Sequence, residues 1–88
     1  MTTYRKREGI LSEKMGKDLV LFDLDTNLPY ALNPAAALIF EMMDGERDSR
    51  EIAQKICQKY DVDLDRAMED LDTLSQDLVQ KGIIERVR

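Results

Sequence analysis

LPYALNPAAALIFEMMDG, residues 28–45, is the stretch that decides how the rest of the chain is arranged. Residues 28–32 alternate as a β-strand does, and Asn33-Pro34 then interrupts the extended pattern. Asparagine is a favoured N-cap because its side-chain oxygen accepts a hydrogen bond from the first helical turn, and proline at the first helical position loses no intrahelical bond. The residues that follow, up to Gly45, are apolar on most sides. The stretch therefore predicts a strand that leads directly into the central, buried helix of the domain.

Two more strands are predicted before this stretch. Residues 10–15 and 18–24 are separated by a turn at Gly16, which can take the positive φ of a tight hairpin. The second of them, DLVLFDL, has apolar residues on both faces, as in a strand that is covered on both sides. Residues 25–27 are typical turn residues and connect it to strand 28–32. The three strands predict an antiparallel meander in which the middle strand is the most protected.

Pro29 lies inside the third predicted strand. Because proline cannot donate to a sheet ladder, it is expected on an edge strand with its nitrogen facing outward. In that register the carbonyls of Pro29 and Ala31 and the N–H of Ala31 lie on a free edge. The side chains of Leu28, Tyr30 and Leu32 then share the inner face. If Pro29 faced inward instead, the sheet would be weakened there and the register would differ.

Three helices are predicted after the strands. The first runs from Pro34 to about Asp44, Asp48 caps the second, and Asp63 caps the third, which Gly82 ends. Apolar residues recur at helical spacing and continue into a short tail expected to pack back on the helices: Ile52, Ala53, Ile56, Cys57, Tyr60; Leu64, Met68, Leu71, Leu74, Leu78; Ile83, Ile84, Val87. A three-stranded antiparallel sheet followed by three helices predicts an α+β, winged helix-turn-helix-like domain.

The composition is that of one small globular domain. Of 88 residues, 43% are apolar and 35% are charged, with four glycines and two prolines. Residues 1–88 are therefore predicted to be a single domain, with residues 1–8 as a flexible polar arm. No apolar run approaches the roughly 20 residues that span a bilayer, the N-terminus lacks a signal-peptide core, and a single cysteine cannot form an internal disulfide. These features predict a cytoplasmic protein without a membrane segment.

The distribution of charge argues against nucleic acid as a partner. The chain has 13 basic and 18 acidic residues, a formal net charge of −5. Residues 61–77 hold seven acidic residues and a single arginine, Arg66, whereas positive charge is concentrated in residues 5–7. A winged-helix protein that reads DNA places its third helix in the major groove and presents a basic face. A winged-helix nucleic-acid-binding regulator is thus the alternative function, disfavoured because the third helix would repel phosphate.

The residues that usually carry catalysis or bind metals are scarce in the sequence. The chain has no histidine, and Cys57 lies on an apolar helix stripe, where burial is expected. Asp61, Asp63 and Asp65 have the spacing that opens a calcium loop, but the glycine and the closing glutamate of such a loop are replaced. There is no glycine-rich phosphate loop. We therefore expect no catalytic residues, no metal and no cofactor, and the chain is predicted not to be an enzyme.

The free edge of strand 28–32 predicts a peptide-binding site. A peptide can add to such an edge as a further strand, with main-chain hydrogen bonds for affinity and side-chain pockets for selectivity. A flank of the third helix would form the other wall of the groove, with Arg66, Ala67, Asp70, Leu74 and Asp77. The alternative is that Ala67 and Leu74 belong to the core and that the charged residues are only solvated.

Several short motifs occur in order along the chain: YALNP at 30–34, MDG at 43–45, EIA at 51–53, YDV at 60–62 and KGI at 81–83. With these motifs the chain, over about residues 10–85, resembles the PqqD-like family, the recognition elements for precursor peptides in pathways that modify ribosomally made peptides. The resemblance implies a stand-alone domain that binds the leader of a precursor as an added strand on its third strand, in a cleft walled by the third helix. It also implies delivery of that leader to a modifying enzyme, such as a radical SAM enzyme or a leader peptidase.

By family position, strand 28–32 is the pairing strand, and Asp70, Leu71 and Leu74 line the cleft. The candidate peptide-binding residues are therefore Leu28, Pro29, Tyr30, Ala31, Leu32, Arg66, Ala67, Asp70, Leu71, Leu74 and Asp77. The acidic third helix leads to the further hypothesis that the leader carries Lys or Arg beside its apolar residues. Because an open edge also allows two copies to pair, the chain is expected to be a monomer or a weak homodimer.

Overall fold

The computed structural model of the protein describes residues 2–87; Met1, at the start of the predicted arm, and Arg88 lie outside the described residues. Within this range the chain forms six strands and three helices. In chain order they are β1 (Thr3–Lys6), β2 (Ile10–Met15), β3 (Asp18–Asp23), β4 (Pro29–Leu32), α1 (Pro34–Glu41), β5 (Asp44–Asp48), α2 (Ser49–Tyr60), α3 (Leu64–Gln80) and β6 (Ile84–Arg86). The β2–β4 sheet and the three helices give the predicted α+β, winged-helix-like fold.

Strands β2, β3 and β4 form the predicted antiparallel meander. β2 has the predicted bounds, while β3 and β4 are each shorter than predicted by one residue at the connection between them. β3 is the middle strand, and Leu19 and Leu21 on its inner face are buried. Gly16, in the turn between β2 and β3, has a φ of 65°, the left-handed conformation that glycine adopts without strain.

Helix α1 begins as predicted but ends earlier. The Asn33 side chain accepts a hydrogen bond from the first helical turn (2.8 Å), and Pro34 is the first helical residue. The helix ends at Glu41 rather than near Asp44. The Asp44 carboxylate instead accepts hydrogen bonds from two following backbone N–H groups, a local arrangement that competes with helix. Residues 44–48 form strand β5, which pairs with β1.

The interpretation of residues 1–8 as a flexible arm is wrong for residues 3–6, which form the middle strand of a second antiparallel sheet in the order β5-β1-β6. Thr3 is only 4% exposed, and Nε of Arg5 donates to the Glu85 carboxylate across β1 and β6 (2.8 Å). The three strands are short and rich in charged residues, so their sequence pattern is weak. Pairing on both sides with distant parts of the chain is what holds β1 in place. The predicted apolar tail packs back as β6.

Helices α2 and α3 carry their predicted caps. Asp48 caps α2 and forms a capping box with Glu51, and Asp63 caps α3. α2 packs against α3 and β5, and α3 also packs against β6, so the helices join the two sheets. The side chains that are almost completely enclosed between these elements include Leu21, Leu32, Met43, Ile52, Leu71, Leu78 and Ile84. None of the helices in residues 2–87 has the length and apolar character that crossing a membrane requires.

Candidate functional site

Strand β4 is an edge strand of the meander. Its residues pair with β3 on one side, in the register Leu19 with Leu32 through Phe22 with Pro29. On its other side no strand of residues 2–87 is paired with it. The expected free edge at the third strand of the meander is therefore present in the described part of the chain.

The hydrogen bonds at the ends of the hairpins determine which way the β4 backbone faces. The N–H of Asp23 donates to the Leu28 carbonyl (3.4 Å), and the N–H of Leu24 donates to the Gly9 carbonyl (2.9 Å). Antiparallel residue pairs alternate between bonded and non-bonded. Asp23 and Leu28 form a bonded pair, so the odd-numbered residues of β3 are the ones that bond to β4. Leu21 is one of them and lies opposite Tyr30, so the backbone of Tyr30 faces β3. The outward register expected for proline at position 29 is the one the chain adopts.

The free edge carries four main-chain groups. Pro29 offers its carbonyl, and Ala31 offers both its carbonyl and its N–H, as the sequence predicts. The same alternation turns the N–H of Asn33 outward, because this residue is still extended at φ −68° and ψ 171°. The Asn33 carbonyl, in contrast, accepts from the N–H of Ala37 inside α1 (2.8 Å). The Asn33 donor was not predicted because the strand was expected to end at residue 32; the two-residue alternation of a strand, continued from Ala31, would have included it.

The side chains of β4 divide between the two faces of the sheet. Leu32 is buried and Tyr30 is half-buried on the inner face, whereas Pro29 and Ala31 are exposed on the outer face. Leu28 was expected on the inner face but is 66% exposed, because it precedes the strand and lies in the connection to β3. The main-chain groups of Leu32 face β3 and its side chain is enclosed, so it contributes to the core rather than to the edge.

Tyr30 connects the edge strand to helix α3. Its hydroxyl donates to the Asp77 carboxylate, and this carboxylate also accepts from Nζ of Lys81 (2.5 Å). The same ammonium lies 5.0 Å from the centre of the Tyr30 ring. The hydrogen bond to Asp77, assisted by partial burial, raises the pKa of Tyr30 to about 12. The Lys81 and Tyr30 bonds lower the pKa of Asp77 below its ordinary value.

The contact between Tyr30 and Asp77 identifies the flank of α3 that faces β4. Residues at spacings of three and four from Asp77 share this flank: Arg66, Asp70, Leu74 and Lys81. Nε of Arg66 donates to the Asp70 carboxylate (3.3 Å), both side chains are exposed, and Leu74 is partly buried against the core.

Two of the predicted wall residues are not on the surface. Ala67 and Leu71 are each 1% exposed, and both belong to the main hydrophobic cluster. Each follows a residue of the flank that carries Asp77 by one position, which turns its side chain around the helix toward the core. For Ala67 the alternative left open by the sequence, a core position, is correct. A guest peptide could reach either residue only by opening the core, so we remove both from the candidate site.

The charges of α3 are unevenly distributed around the helix. On the flank that faces β4, Asp70 and Asp77 are paired with Arg66 and Lys81. The remaining acidic residues, Asp65, Glu69 and Asp72, lie on a different flank, where Glu69 and Asp72 line a cavity of about 370 Å³ beside β1. The wall nearest the free edge is therefore charge-balanced, which weakens the hypothesis of a basic leader.

The described residues do not bring the other reactive side chains together. Among residues 2–87, no group of three or more His, Cys, Asp and Glu side chains is placed to hold a metal ion. Cys57 is half-buried on α2. The arrangement at β4 consists of main-chain donors and acceptors beside a tyrosine–aspartate–lysine cluster, and its chemistry is that of binding an extended chain.

Comparisons of the fold identify similar structures. The chain is 23% identical to the structure described as TbiB1 in complex with the TbiA(beta) leader peptide, with a TM-score of 0.84 over 92% of this chain and 94% of that chain. It is 26% identical to a lasso peptide synthetase B1 complexed with the leader peptide, with a TM-score of 0.85 over 93% and 96% of the two chains. It is 24% identical to the PqqD truncation of Methylobacterium extorquens PqqCD, with a TM-score of 0.80 over 93% and 87%.

The sequence comparisons give the family. No curated protein sequence matches the chain significantly. The family model described as coenzyme PQQ synthesis protein D (PqqD) matches residues 18–84, from the first residue of β3 to the first residue of β6. Since this match covers most of the chain and includes every motif on which the resemblance rested, the chain belongs to the PqqD family.

Proposed function

We propose that this chain binds the leader segment of a ribosomally made precursor peptide and presents it to a peptide-modifying enzyme. The observation that carries the proposal is the free edge of β4, with its outward carbonyls and N–H groups, on a strand that the Tyr30–Asp77 hydrogen bond joins to α3. A leader added to this edge would gain main-chain hydrogen bonds irrespective of its side chains. Its inward side chains would lie over the α3 flank and provide selectivity.

The relatives support this assignment. TbiB1 and the lasso peptide synthetase B1 are each described in complex with a leader peptide, and this chain matches nearly their full length. The PqqD truncation is described as a functional, stand-alone recognition element for ribosomally synthesised and post-translationally modified peptides. The fold shared with these three proteins supports the proposal that this chain also binds a leader.

The residues proposed to contact the leader lie on β4 and on the α3 flank that carries Asp77: Pro29, Tyr30, Ala31 and Asn33 on the strand side, and Arg66, Asp70, Leu74 and Asp77 on α3. Leu28 is exposed at the start of β4 and extends this surface. The Tyr30–Asp77 hydrogen bond joins the two sides and fixes the distance between them. A groove whose walls are already tied together loses less conformational entropy when the leader binds.

In this role the chain is an adaptor that binds and does not catalyse, and it uses no cofactor of its own. The reaction belongs to the partner, for which the family resemblance implies a radical SAM enzyme or a leader peptidase. Because a ribosomal precursor is first available in the cytoplasm, we place the complex there. The nucleic-acid alternative is not favoured, since α3 would be the recognition helix and its flank opposite the Arg66 pair carries unbalanced acidic residues.

Ala31→Pro tests the proposal. Proline at this position removes the N–H that faces the free edge and leaves the ladder to β3 intact, because the Ala31 backbone does not bond to β3. Binding of a fluorescein-labelled leader peptide is expected to weaken at least tenfold, measured by fluorescence polarisation.

Ser12→Pro is the matched control. By the same alternation the Ser12 N–H faces away from β3, on the free edge of β2 at the opposite side of the sheet. The two variants remove equivalent groups, and both should keep the far-ultraviolet circular dichroism of the wild type. Equal leader affinity in Ala31→Pro and Ser12→Pro would refute binding at β4.

A further inference from the structure

We propose that the free edge of β4 selects guest peptides by their main chain: it accepts two guest N–H groups that are two residues apart, so proline is excluded at those two positions and tolerated between them. The inference rests on the proposed strand addition and concerns which peptides can bind. It follows from the four groups on the edge and from the two groups that are missing there.

The edge has two donors and two acceptors. The donors are the N–H groups of Ala31 and Asn33, and the acceptors are the carbonyls of Pro29 and Ala31. A regular strand would also offer an N–H at position 29, which proline lacks, and a carbonyl at position 33. The Asn33 carbonyl is already engaged by the N–H of Ala37 (2.8 Å) and turns into α1.

In an antiparallel arrangement, one guest residue exchanges both hydrogen bonds with Ala31. The guest residue two positions further along donates to the Pro29 carbonyl, and the guest residue two positions back accepts from the Asn33 N–H. In a parallel arrangement, the N–H groups of the residues on either side of the one opposite Ala31 reach the two carbonyls. In both orientations the guest donates from two positions with one residue between them.

The residue between these two positions turns its N–H to the outside. A bound guest becomes the new edge of the sheet, and proline is compatible with an edge strand when its nitrogen faces away from the ladder. The guest residue opposite Asn33 also needs no N–H group, because the Asn33 carbonyl is already bonded to Ala37 and cannot accept from it. The pattern of allowed proline is thus a property of Pro29 and Asn33, independent of the side chains in the groove.

Pro29 has a second consequence. The guest carbonyl that lies opposite its nitrogen meets no donor, and it must turn to water. Pro29→Ala restores an outward N–H at this position without changing the ladder to β3. Pro29→Ala should therefore bind the same guest about three- to tenfold more tightly, the effect of one added neutral hydrogen bond.

The test uses the full chain and peptides from a random dodecapeptide display library. Peptides that bind the wild type but not Ala31→Pro are retained, and Ser12→Pro serves as the folded control. For the tightest of these, each backbone amide is replaced in turn by an ester, which removes one guest N–H and keeps every side chain. Affinities of all esters are measured by isothermal calorimetry against the wild type and Pro29→Ala.

Two of the ester-containing peptides, with replacements two positions apart, are expected to bind the wild type about tenfold more weakly than the parent peptide. The other ester-containing peptides should bind within about threefold of the parent. The parent peptide should bind Pro29→Ala more tightly than the wild type. Sensitivity at adjacent positions, sensitivity at three or more positions, or unchanged affinity for Pro29→Ala would overturn the donor pattern while leaving strand addition intact. A library without any peptide that depends on the Ala31 N–H would overturn the proposed function, and the donor pattern with it.

Discussion

Tyr30→Phe is expected to lower the free energy of unfolding by about 1 kcal/mol. The hydroxyl donates to the Asp77 carboxylate, and a hydrogen bond to a charged group contributes about 1.5–3 kcal/mol when it is well buried. The Asp77 side chain is 37% exposed, so it regains water when the bond is lost, and the effect falls below that range. For a domain of this size, 1 kcal/mol corresponds to a melting temperature about 4–8 °C lower.

The same bond gives the stability a pH dependence. The pKa of Tyr30 rises on folding from 10.0 to about 12, so the stabilisation is complete below the unfolded value and is lost as the pH rises through the folded one. The pKa of Asp77 is lowered on folding, so its share is present above the ordinary carboxyl value and is lost as the pH falls. The difference between the wild type and Tyr30→Phe should therefore be constant from about pH 5 to about pH 9.

Urea unfolding followed by circular dichroism, at pH 7 and at pH 11.5, measures both quantities. Tyr4→Phe is the matched control, because Tyr4 is also half-buried but its hydroxyl makes no hydrogen bond within the described residues. The midpoint of Tyr30→Phe should be lower than that of Tyr4→Phe at pH 7 and should approach it at pH 11.5. A Tyr30→Phe midpoint equal to that of the control at pH 7, or a difference at pH 11.5 as large as the one at pH 7, would refute the reasoning.

Three further predictions concern other parts of the chain. Deletion of residues 2–8 should abolish cooperative thermal unfolding, because it removes the middle strand of the second sheet; a truncated chain with the wild-type melting temperature would restore the flexible-arm interpretation. Asn33→Ala should cost about 1 kcal/mol in urea unfolding through loss of the α1 cap, and Asn33→Asp, which keeps a capping oxygen, should cost far less. Leader affinity should change less than about threefold between 50 and 500 mM NaCl, since the α3 flank beside β4 is charge-balanced; a steep decline would support the basic-leader hypothesis.

The parts of the fold that could be predicted from sequence are those with local signals. Asn33-Pro34 set the start of α1, Asp48 and Asp63 set the starts of α2 and α3, and Gly16 marked the first hairpin. Each acts through a hydrogen bond or a backbone conformation within a few residues of itself. The edge position of β4 was also predictable, because a proline within a strand is rarely found in the interior of a sheet.

The second sheet could not be predicted in the same way. β1 pairs with β5 and β6, which lie far along the chain, and its residues show little alternation. The wall of the candidate site was predicted only in part for a similar reason. Spacing places Ala67 and Leu71 within a helical step of the exposed flank, but the direction in which α3 packs decides that both are enclosed. Such directions depend on contacts between elements, to which a local pattern is insensitive.

The pairing of β1 between β5 and β6 has a consequence for co-translational folding. During synthesis the meander and α1 can leave the ribosome as a complete local unit, with all three strands near one another in the chain. β1 emerges before its partners β5 and β6, and its second side is covered only when residues 84–86 have emerged. Until residues 84–86 have emerged, β1 therefore has one unpaired side, and a chaperone that holds extended segments can bind it there.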